Sequence, residues 1–398
     1  MKEGWTYKKL GEVGSTQTGT TPSKSNPDNY GSHIPFIRPA EISADGSGHI
    51  NYDSEIKLSK KGLNNGRLFK KGSILMVCIG TIGKLGFADE DISCNQQINV
   101  LKPNEQYVPK YLFYAMSSPS FQRESIKIAQ GAQATIPIIN KGKWSNLLIP
   151  IPPTKDEQKW IVSRLDAAFS HIDELKANAE KQLSEARTLF QKSLVKAMEP
   201  KEGWEEKKLI EITHDNCPIS YGIVQQGDHI DGGIPVVRPV DMREKYITRE
   251  NLKCTTQTIS DSYKRTILRG DELLLSVRGT TGIISLATPE LKGCNVNRGI
   301  VPLYFKDQIN KDFLYYEMVS PLLQSVFAEK TTGSTLKQIN IKDLRLIKLS
   351  LPPLSEQQRI VERLDALSVH VRELEENQKK IISECDALKQ ALLRKVFE

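Results

Sequence analysis

The chain says nearly the same thing twice, about 200 residues apart, and this restricts it to folds built from two like halves. Gly4-Trp5-Thr6-Tyr7-Lys8-Lys9-Leu10 returns as Gly203-Trp204-Glu205-Glu206-Lys207-Lys208-Leu209. Ile34-Pro35 with Arg38-Pro39 returns as Ile234-Pro235 with Arg238-Pro239. Gly80-Thr81-Ile82-Gly83 matches Gly279-Thr280-Thr281-Gly282, and Cys94-Asn95 matches Cys294-Asn295. Each half ends on a proline pair, Pro152-Pro153 or Pro352-Pro353, followed by a long apolar-patterned segment. A unit of this length is a duplicated domain, too long for a solenoid repeat. Two related lobes joined by two related helices imply a pseudo-two-fold object.

At 398 residues the chain is long enough for two or more cores. A formal charge of +7 suits a polyanionic partner without requiring one. The six cysteines (Cys78, Cys94, Cys217, Cys254, Cys294, Cys385) are scattered, with no C-x-x-C and no zinc spacing, and read as reduced thiols of a cytoplasmic protein. No stretch approaches the roughly 18 apolar residues of a membrane span. Met1-Lys2-Glu3-Gly4-Trp5 has no apolar run behind it and is not a signal peptide.

The boundaries expected are a first lobe at 1–153, a helix at 154–199, a second lobe at 200–353 and a second helix at 354–398. Ile74 to Ile79, bounded by Gly72 and Gly80, reads as a buried strand, with Leu273 to Val277 as its counterpart. Tyr107 to Ser118 and Asp312 to Ser320 read as helices that stop before Pro119 and Pro321. Trp144 to Ile151 and Leu344 to Leu351 suggest one further strand each. The fold class is α+β: two homologous mixed α/β lobes separated by two long helices.

For those helices, Thr154 or Asp156 and then Ser355 are the expected N-caps. Ile161, Leu165, Ala168, Ile172, Leu175, Ala179, Gln182, Ala186, Leu189 and Ser193 fall at alternating steps of four and three. Ile360, Leu364, Leu367, Val371, Leu374, Gln378, Ile381, Cys385, Leu388 and Leu392 do the same. Such a/d spacing predicts an antiparallel coiled coil, a rod of about 60 Å if roughly 40 residues each rise ~1.5 Å. Leu183, Phe190 and Leu194 form a second apolar edge, expected to receive helices of a partner protein, with cover by the lobes themselves as the alternative.

Enzymatic motifs are missing. The proline pairs follow Ile151 and Leu351, so no Asn/Asp-Pro-Pro-aromatic methyltransferase motif exists. Gly83-Lys84 lacks the upstream glycine of a phosphate loop, where Cys78 stands, and Leu85 replaces its Ser/Thr. Pro27-Asp28 with Glu55-Ile56-Lys57 loosely resembles a nuclease pattern that the second half lacks. The six histidines form no repeated pair with a nucleophile. No catalytic or metal site is expected.

Duplex DNA is the commonest large ligand with two-fold symmetry. The halves share Gly, Pro and apolar positions, and differ in polar loops. Thr20, Thr21, Ser23, Lys24, Arg38, Thr81, Lys84, Gln96, Gln97 and Gln133 are the candidate DNA contacts of the first lobe. Tyr221, Gln225, Gln226, Arg238, Arg278, Thr280, Asn297, Arg298, Ser334 and Lys337 are those of the second. Arg reads guanine, and Asn or Gln reads adenine, by paired hydrogen bonds in the major groove. Lys, Ser and Thr suit phosphate.

The chain resembles the specificity subunit of a type I restriction-modification system over essentially its whole length. The resemblance rests on the Gly-Trp starts, the Ile-Pro-x-x-Arg-Pro segments, the Gly-Thr-x-Gly turns and Gly333-Ser334-Thr335-Leu336 leading to Ile339-Asn340. Most specific is Pro-Pro-x-x-Glu-Gln-Gln-x-Ile-Val-x-x-Leu-Asp, here Pro352 to Asp365. The first copy carries one extra residue before Glu157-Gln158, and Gly131-Ala132-Gln133-Ala134-Thr135 in place of the Gly-Ser-Thr-Leu form. The resemblance implies that each lobe recognises half of a split double-stranded DNA sequence and that the helices set the unread spacer. It implies two methyltransferase subunits, carrying S-adenosylmethionine, that methylate adenine N6, and restriction subunits that use ATP and Mg. This chain itself would hold no cofactor. The alternative is a DNA-independent coiled-coil scaffold, and the two differ in salt dependence, steep only for phosphate binding.

Overall fold

The computed structural model describes residues 3–130, 136–333 and 336–398. The chain divides into two compact units, Met1–Glu180 with Lys379–Glu398, and Lys181–Gln378. Each unit thus contains one lobe and a portion of both long helices. Among the described residues no helix is long and apolar enough to cross a membrane.

The first lobe is built on an antiparallel four-stranded sheet in the order Gly14–Thr18, Ile98–Pro103, Ile74–Val77, Leu85–Phe87. A three-stranded sheet, Lys57–Leu58, Tyr30–Ile37, Ser93–Cys94, lies in the same lobe. The second lobe repeats this frame with Ile300–Leu303, Leu273–Ser276 and Ile284–Ala287. Its three-stranded sheet is Lys253–Thr255, Ile234–Val237, Asn295–Val296. The lobes differ at the edges. The first adds Gly14–Thr18 beside Ile98–Pro103, whereas the second adds Tyr246–Ile247 beside Ile284–Ala287.

The helices expected before the proline marks are Pro109–Met116 and Lys311–Val319. Both stop before their proline, as expected. A new helix starts on each proline, Pro119–Gln130 and Pro321–Lys330, because proline suits the first turn, where its missing N–H has no partner to lose. The strands expected from Trp144 and Leu344 begin later, at Leu148–Ile151 and Lys348–Leu351. Trp144 and Leu344 instead lie on one-turn helices, Lys141–Ser145 and Ile341–Arg345, capped by Asn140 and Asn340. Both side chains are fully buried, so apolar character at these positions marks core, not strand.

The long helices run Lys155–Ala197 and Leu354–Phe397. The Thr154 hydroxyl accepts from the Glu157 amide at 3.1 Å, the cap expected. Ser355 lies inside the second helix, and the Pro353 carbonyl receives the Glu356 and Gln357 amides instead. In the first unit Lys176 pairs with Asp386 at 2.8 Å, and Lys389 pairs with Asp173. In the second, Arg187 meets Glu375 at 2.7 Å and Gln182 accepts from Gln378 at 3.1 Å. Partners descend on one helix as they rise on the other, so the segments pair antiparallel within each unit.

The packed stripe is not the expected heptad seam. Ile161, Leu165, Ile172, Ala179, Ala186 and Leu194 are buried, while Leu175 and Leu189 are both 57% exposed. The inner residues there are Lys176, Leu183 and Phe190, one position further along. On the second helix Ile360, Leu364, Cys385 and Leu393 are buried and Val371 and Leu392 half-buried. Leu374, Ile381 and Leu388 are exposed. The stripe follows the ordinary ~3.6-residue turn, which drifts ~20° per heptad from a 3.5-residue seam. Leu194 therefore belongs to the intramolecular packing, with Phe190 against the same core, and Leu183 is half-buried.

The Glu-Gln pair of the proline-led motif joins helix to lobe. Gln158 is buried and accepts from the Val108 amide at 2.9 Å, and Gln357 does the same for Asn310 at 2.8 Å. Each glutamine thereby holds the residue that leads into Pro109–Met116 or Lys311–Val319. Glu317, in the second lobe, is less at ease. Its Oε1 accepts from the Ser350 amide at 2.6 Å, and its Oε2 has no partner among the described residues. Burial pushes this carboxyl up to about 8 from 4.5. The folded-state value exceeds the unfolded one, so its contribution is intact below the unfolded value and is lost as pH rises through the folded one. We expect stability to fall between those limits by up to ~1.4 kcal/mol per pH unit from this group, and Glu317→Gln to flatten the slope. Thermal melts across that range, with an unchanged slope in the variant, would disprove this.

Candidate nucleic-acid interface

In each lobe a ladder of backbone bonds gathers most of the candidate residues on one edge. In the first lobe the Thr20 amide donates to Cys94 O at 2.9 Å and Cys78 N to Gln97 O at 2.8 Å. Gly80 N donates to Pro137 O at 3.1 Å, and Ile79 bridges Ile138. In the second lobe Ile223 N donates to Val296 O at 2.8 Å and Arg298 N to Ile223 O at 2.7 Å. Val277 N then meets Gly299 O, Gly279 N meets Lys337 O at 2.9 Å, and Arg278 bridges Gln338.

These bonds also correct the match between the halves. Asn95 N donates to Ile37 O, and the residue that donates to Val237 O is Asn297, not Asn295. Ile37 pairs with Cys94, and Val237 with Val296. Cys94-Asn95 is thus equivalent to Val296-Asn297, and the Cys-Asn letters recur two residues out of place. Asn95 and Asn297 each form the same tight turn, accepting from Gln97 N at 3.1 Å and Gly299 N at 2.8 Å. Gln96 and Arg298 therefore occupy equivalent turn positions with different chemistry.

The Gly-Thr-x-Gly turns stand beside these. Gly80 and Gly279 both have φ +82°, Gly83 +89° and Gly282 +84°, conformations in which a side chain is strained. Thr81 and Thr280 are exposed at their tips. In the second lobe the Ser276 hydroxyl donates to Thr280 O at 2.7 Å and fixes the turn. Arg278 is half-buried, and its Nε has no hydrogen-bond partner among the described residues. A buried guanidinium N–H left without an acceptor is costly, so an incoming acceptor is favoured there. In the first lobe the equivalent edge is apolar: Ile79 replaces Arg278, and Pro137 and Ile138 replace Lys337 and Gln338.

The remaining candidates are placed as follows. The Thr21 hydroxyl donates to Gln96 Oε1, which joins two of them directly. Ser23 and Lys24 are exposed in the same loop, with Ser23 Oγ 2.7 Å from Ser25 Oγ. The Tyr221 hydroxyl donates to Ile339 O at 3.1 Å, Gln225 is exposed, and Gln226 donates to Lys253 O at 3.1 Å. Lys337 is exposed beside Gly279. Gln133 and Ser334 lie outside the described residues. Three cations are already engaged within the lobe. Arg38 pairs with Glu41 at 2.5 Å and Arg238 with Asp241 at 2.8 Å, each closing a one-turn helix, and Lys84 donates to Pro39 O at 2.7 Å. Their hydrogen bonds stabilise loops and are not aimed outward.

Sequence reading missed supporting residues. Arg67 donates to Thr18 O, and Arg345 donates to Pro218 O at 3.3 Å, propping the loops that carry Thr20 and Tyr221. Nothing in the letters distinguishes them from other surface arginines. Among the described residues no cluster of three or more His, Cys, Asp or Glu could hold a metal. The burial of Cys78 pushes its thiol up to about 12, which leaves it unreactive.

Comparison with known proteins finds the type I restriction modification DNA specificity domain matching twice, over residues 2–185 and 201–384. The EcoBI specificity subunit of Escherichia coli is 23% identical over 100% of this chain and 86% of that protein. A chain solved in work on assembly and conformational transition of the type I R-M system covers 100% of this chain and 98% of itself, at 21% identity and TM-score 0.76. The HsdS subunit of Thermoanaerobacter tengcongensis covers 100% and 97%, at 22% identity and TM-score 0.58. These structural likenesses bear on the fold.

Proposed function

This chain belongs to the type I restriction modification DNA specificity family, and we propose that each lobe reads one half of a split DNA sequence for partner subunits that carry the chemistry. The observation that supports this most is the family domain matching both lobes, each with an equivalent edge of different chemistry. Arg278 and Arg298 in the second lobe suit guanine, and Gln338 suits adenine. Gln96 in the first lobe suits adenine, and exposed Ile138 suits a thymine methyl group. Thr81, Thr280, Lys24 and Lys337 suit phosphate, which orients without specifying.

Two methyltransferase subunits would bring S-adenosylmethionine and act on an adenine flipped from the stack. Restriction subunits would bring ATP and Mg. The partner-facing residues suggested here are exposed and apolar on each unit taken by itself: Leu175, Ile381 and Leu388 on the first, Leu189 and Leu374 on the second. The test is exchange of residues 1–153 for the corresponding lobe of another family member, co-expressed with the methyltransferase. Sites of N6-methyladenine are then mapped in the host DNA. One half of the methylated sequence should change and the other should persist. Change in both halves would refute independent reading.

A further inference from the structure

We infer that Lys245 is a positioning residue, one that fastens the sheet of the second lobe to the long helix through Asp365 and so fixes the pose from which that lobe reads DNA. The fastening is read from geometry, while its consequence rests on the DNA-reading role proposed above.

Lys245 precedes the edge strand Tyr246–Ile247, and its carbonyl accepts from the Leu286 amide at 2.6 Å, so its backbone is part of the sheet. Its ammonium reaches two other elements. Nζ lies 2.7 Å from Asp365 Oδ1 on the long helix and 2.9 Å from Asp312 Oδ1 on Lys311–Val319. The Tyr316 hydroxyl donates to the same Asp365 oxygen at 2.5 Å, and the Tyr246 hydroxyl donates to Asp312 at 2.9 Å. The ring of Tyr316 is centred 4.6 Å from Nζ, and those of Tyr246 and Tyr315 5.2 Å from it. The lysine side chain is 10% exposed. Without it, two carboxylates on separate helices would share a tyrosine-lined cleft with no cation between them. The sheet edge would keep to the long helix the exposed pair of Glu244 with Arg372, at 3.8 Å, but lose the shorter, buried one.

The first lobe solves the same junction differently. Asp166 stands where Asp365 does, and the Tyr114 hydroxyl donates to it as Tyr316 does to Asp365. The position of Asp312 is taken by Lys110, whose Nζ is 2.9 Å from Asp166. The cation therefore sits on the helix, and the sheet is not part of the ion pair. The cleft there is about 780 Å³, against about 490 Å³ in the second lobe. Each junction keeps a cation on its long-helix aspartate, while the cation's place moves from helix to sheet and the second junction adds a carboxylate, Asp312.

Three variants of the full chain, co-expressed with the methyltransferase, test this: Lys245→Met, Asp365→Asn, and the double variant Lys245→Met with Asp312→Lys, which rebuilds the first lobe's arrangement. Hydrogen exchange should quicken by about tenfold or more in Tyr246–Ile247 and Lys311–Val319 for Lys245→Met. Mapped methylation should then include sites whose unread spacer is one base pair longer or shorter, with both half-sites unaltered. Asp365→Asn should act in the same direction more weakly, which keeps the test open if Lys245→Met does not fold. The double variant returns a cation to Asp365 but leaves the sheet out of the pair, so exchange should slow again in Lys311–Val319 while Tyr246–Ile247 stays fast and the spacer stays mixed. Unchanged exchange together with a single spacer length in Lys245→Met would overturn the inference. So would a double variant in which both slow exchange of Tyr246–Ile247 and the single spacer return. If the wild-type complex methylated no split sequence, the DNA reading would fall, and the exchange rates would still decide whether Lys245 fastens the lobe.

Discussion

Gly222→Ala is expected to disable the second lobe's half-site while leaving the first lobe's intact. Gly222 lies against the turn that carries Asn297 and Arg298. A Cβ added there would stand 2.0 Å from Val296 O and 2.7 Å from Asn297 O, both backbone atoms that cannot swing away. The segment must lift, breaking the Ile223 N to Val296 O and Arg298 N to Ile223 O bonds that hold the edge together. Losing two partly buried backbone bonds and their packing should cost about 2–4 kcal/mol locally. Gly19 makes the same approach in the first lobe, with its would-be Cβ 2.1 Å from Asn95 O, so Gly19→Ala should silence the opposite half-site. Gly142→Ala is the control. Only Asn140 Oδ1 at 3.5 Å is near, and a helical alanine should be neutral or mildly stabilising, by up to ~1 kcal/mol. The check is DNA binding to duplexes altered in one half-site at a time. Equal tolerance of Gly222→Ala and Gly142→Ala would show that the close approach has no functional weight.

The duplication, the two long helices and the central strands were legible because each depends on local signals: matched letters, proline boundaries and short apolar runs between glycines. Lys155–Ala197 and Leu354–Phe397 fall within a few residues of the expected ranges. The phase of the helix packing was not legible. Over one or two heptads a 3.5- and a 3.6-residue stripe select the same letters, and Ile161, Leu165 and Ile172 satisfy both. They separate only where Leu175 turns outward and Lys176 inward, and a lysine beside its aspartate does not look like a seam residue in sequence. The Cys94-Asn95 match failed for a related reason. Identical letters were aligned, whereas the fold aligns hydrogen bonds, and those place Asn297 opposite Val237. Arg38 and Arg238 are candidate contacts that recur in both halves. They recur because each ties down its own turn through an acid three residues on. Repetition marks what the two lobes share, and under the proposed function readers of different sequences belong where the lobes part, as they do at Gln96 and Arg298.

Leu194→Ala should destabilise the second unit by about 2–5 kcal/mol, the usual cost of emptying a packed leucine site, whereas Leu189→Ala should change stability by no more than ~0.5 kcal/mol. The two leucines are five residues apart on one helix and have the same side chain, so helix propensity cancels in the comparison. Leu194 is 1% exposed, in a core with Met198, Ile360 and Leu364. Leu189 is 57% exposed. A heptad seam predicts the reverse order, since it runs through Leu189 and Ser193 and leaves Leu194 outside. Urea denaturation of the full chain, followed by helical circular dichroism, separates the two arrangements, and a larger loss in Leu189→Ala would reinstate the heptad. The same pair separates folding from assembly. If the exposed leucines receive the methyltransferase, Leu189→Ser should weaken association with it while leaving the urea midpoint unmoved. Leu194→Ala should weaken association only under conditions where the unit itself has begun to unfold.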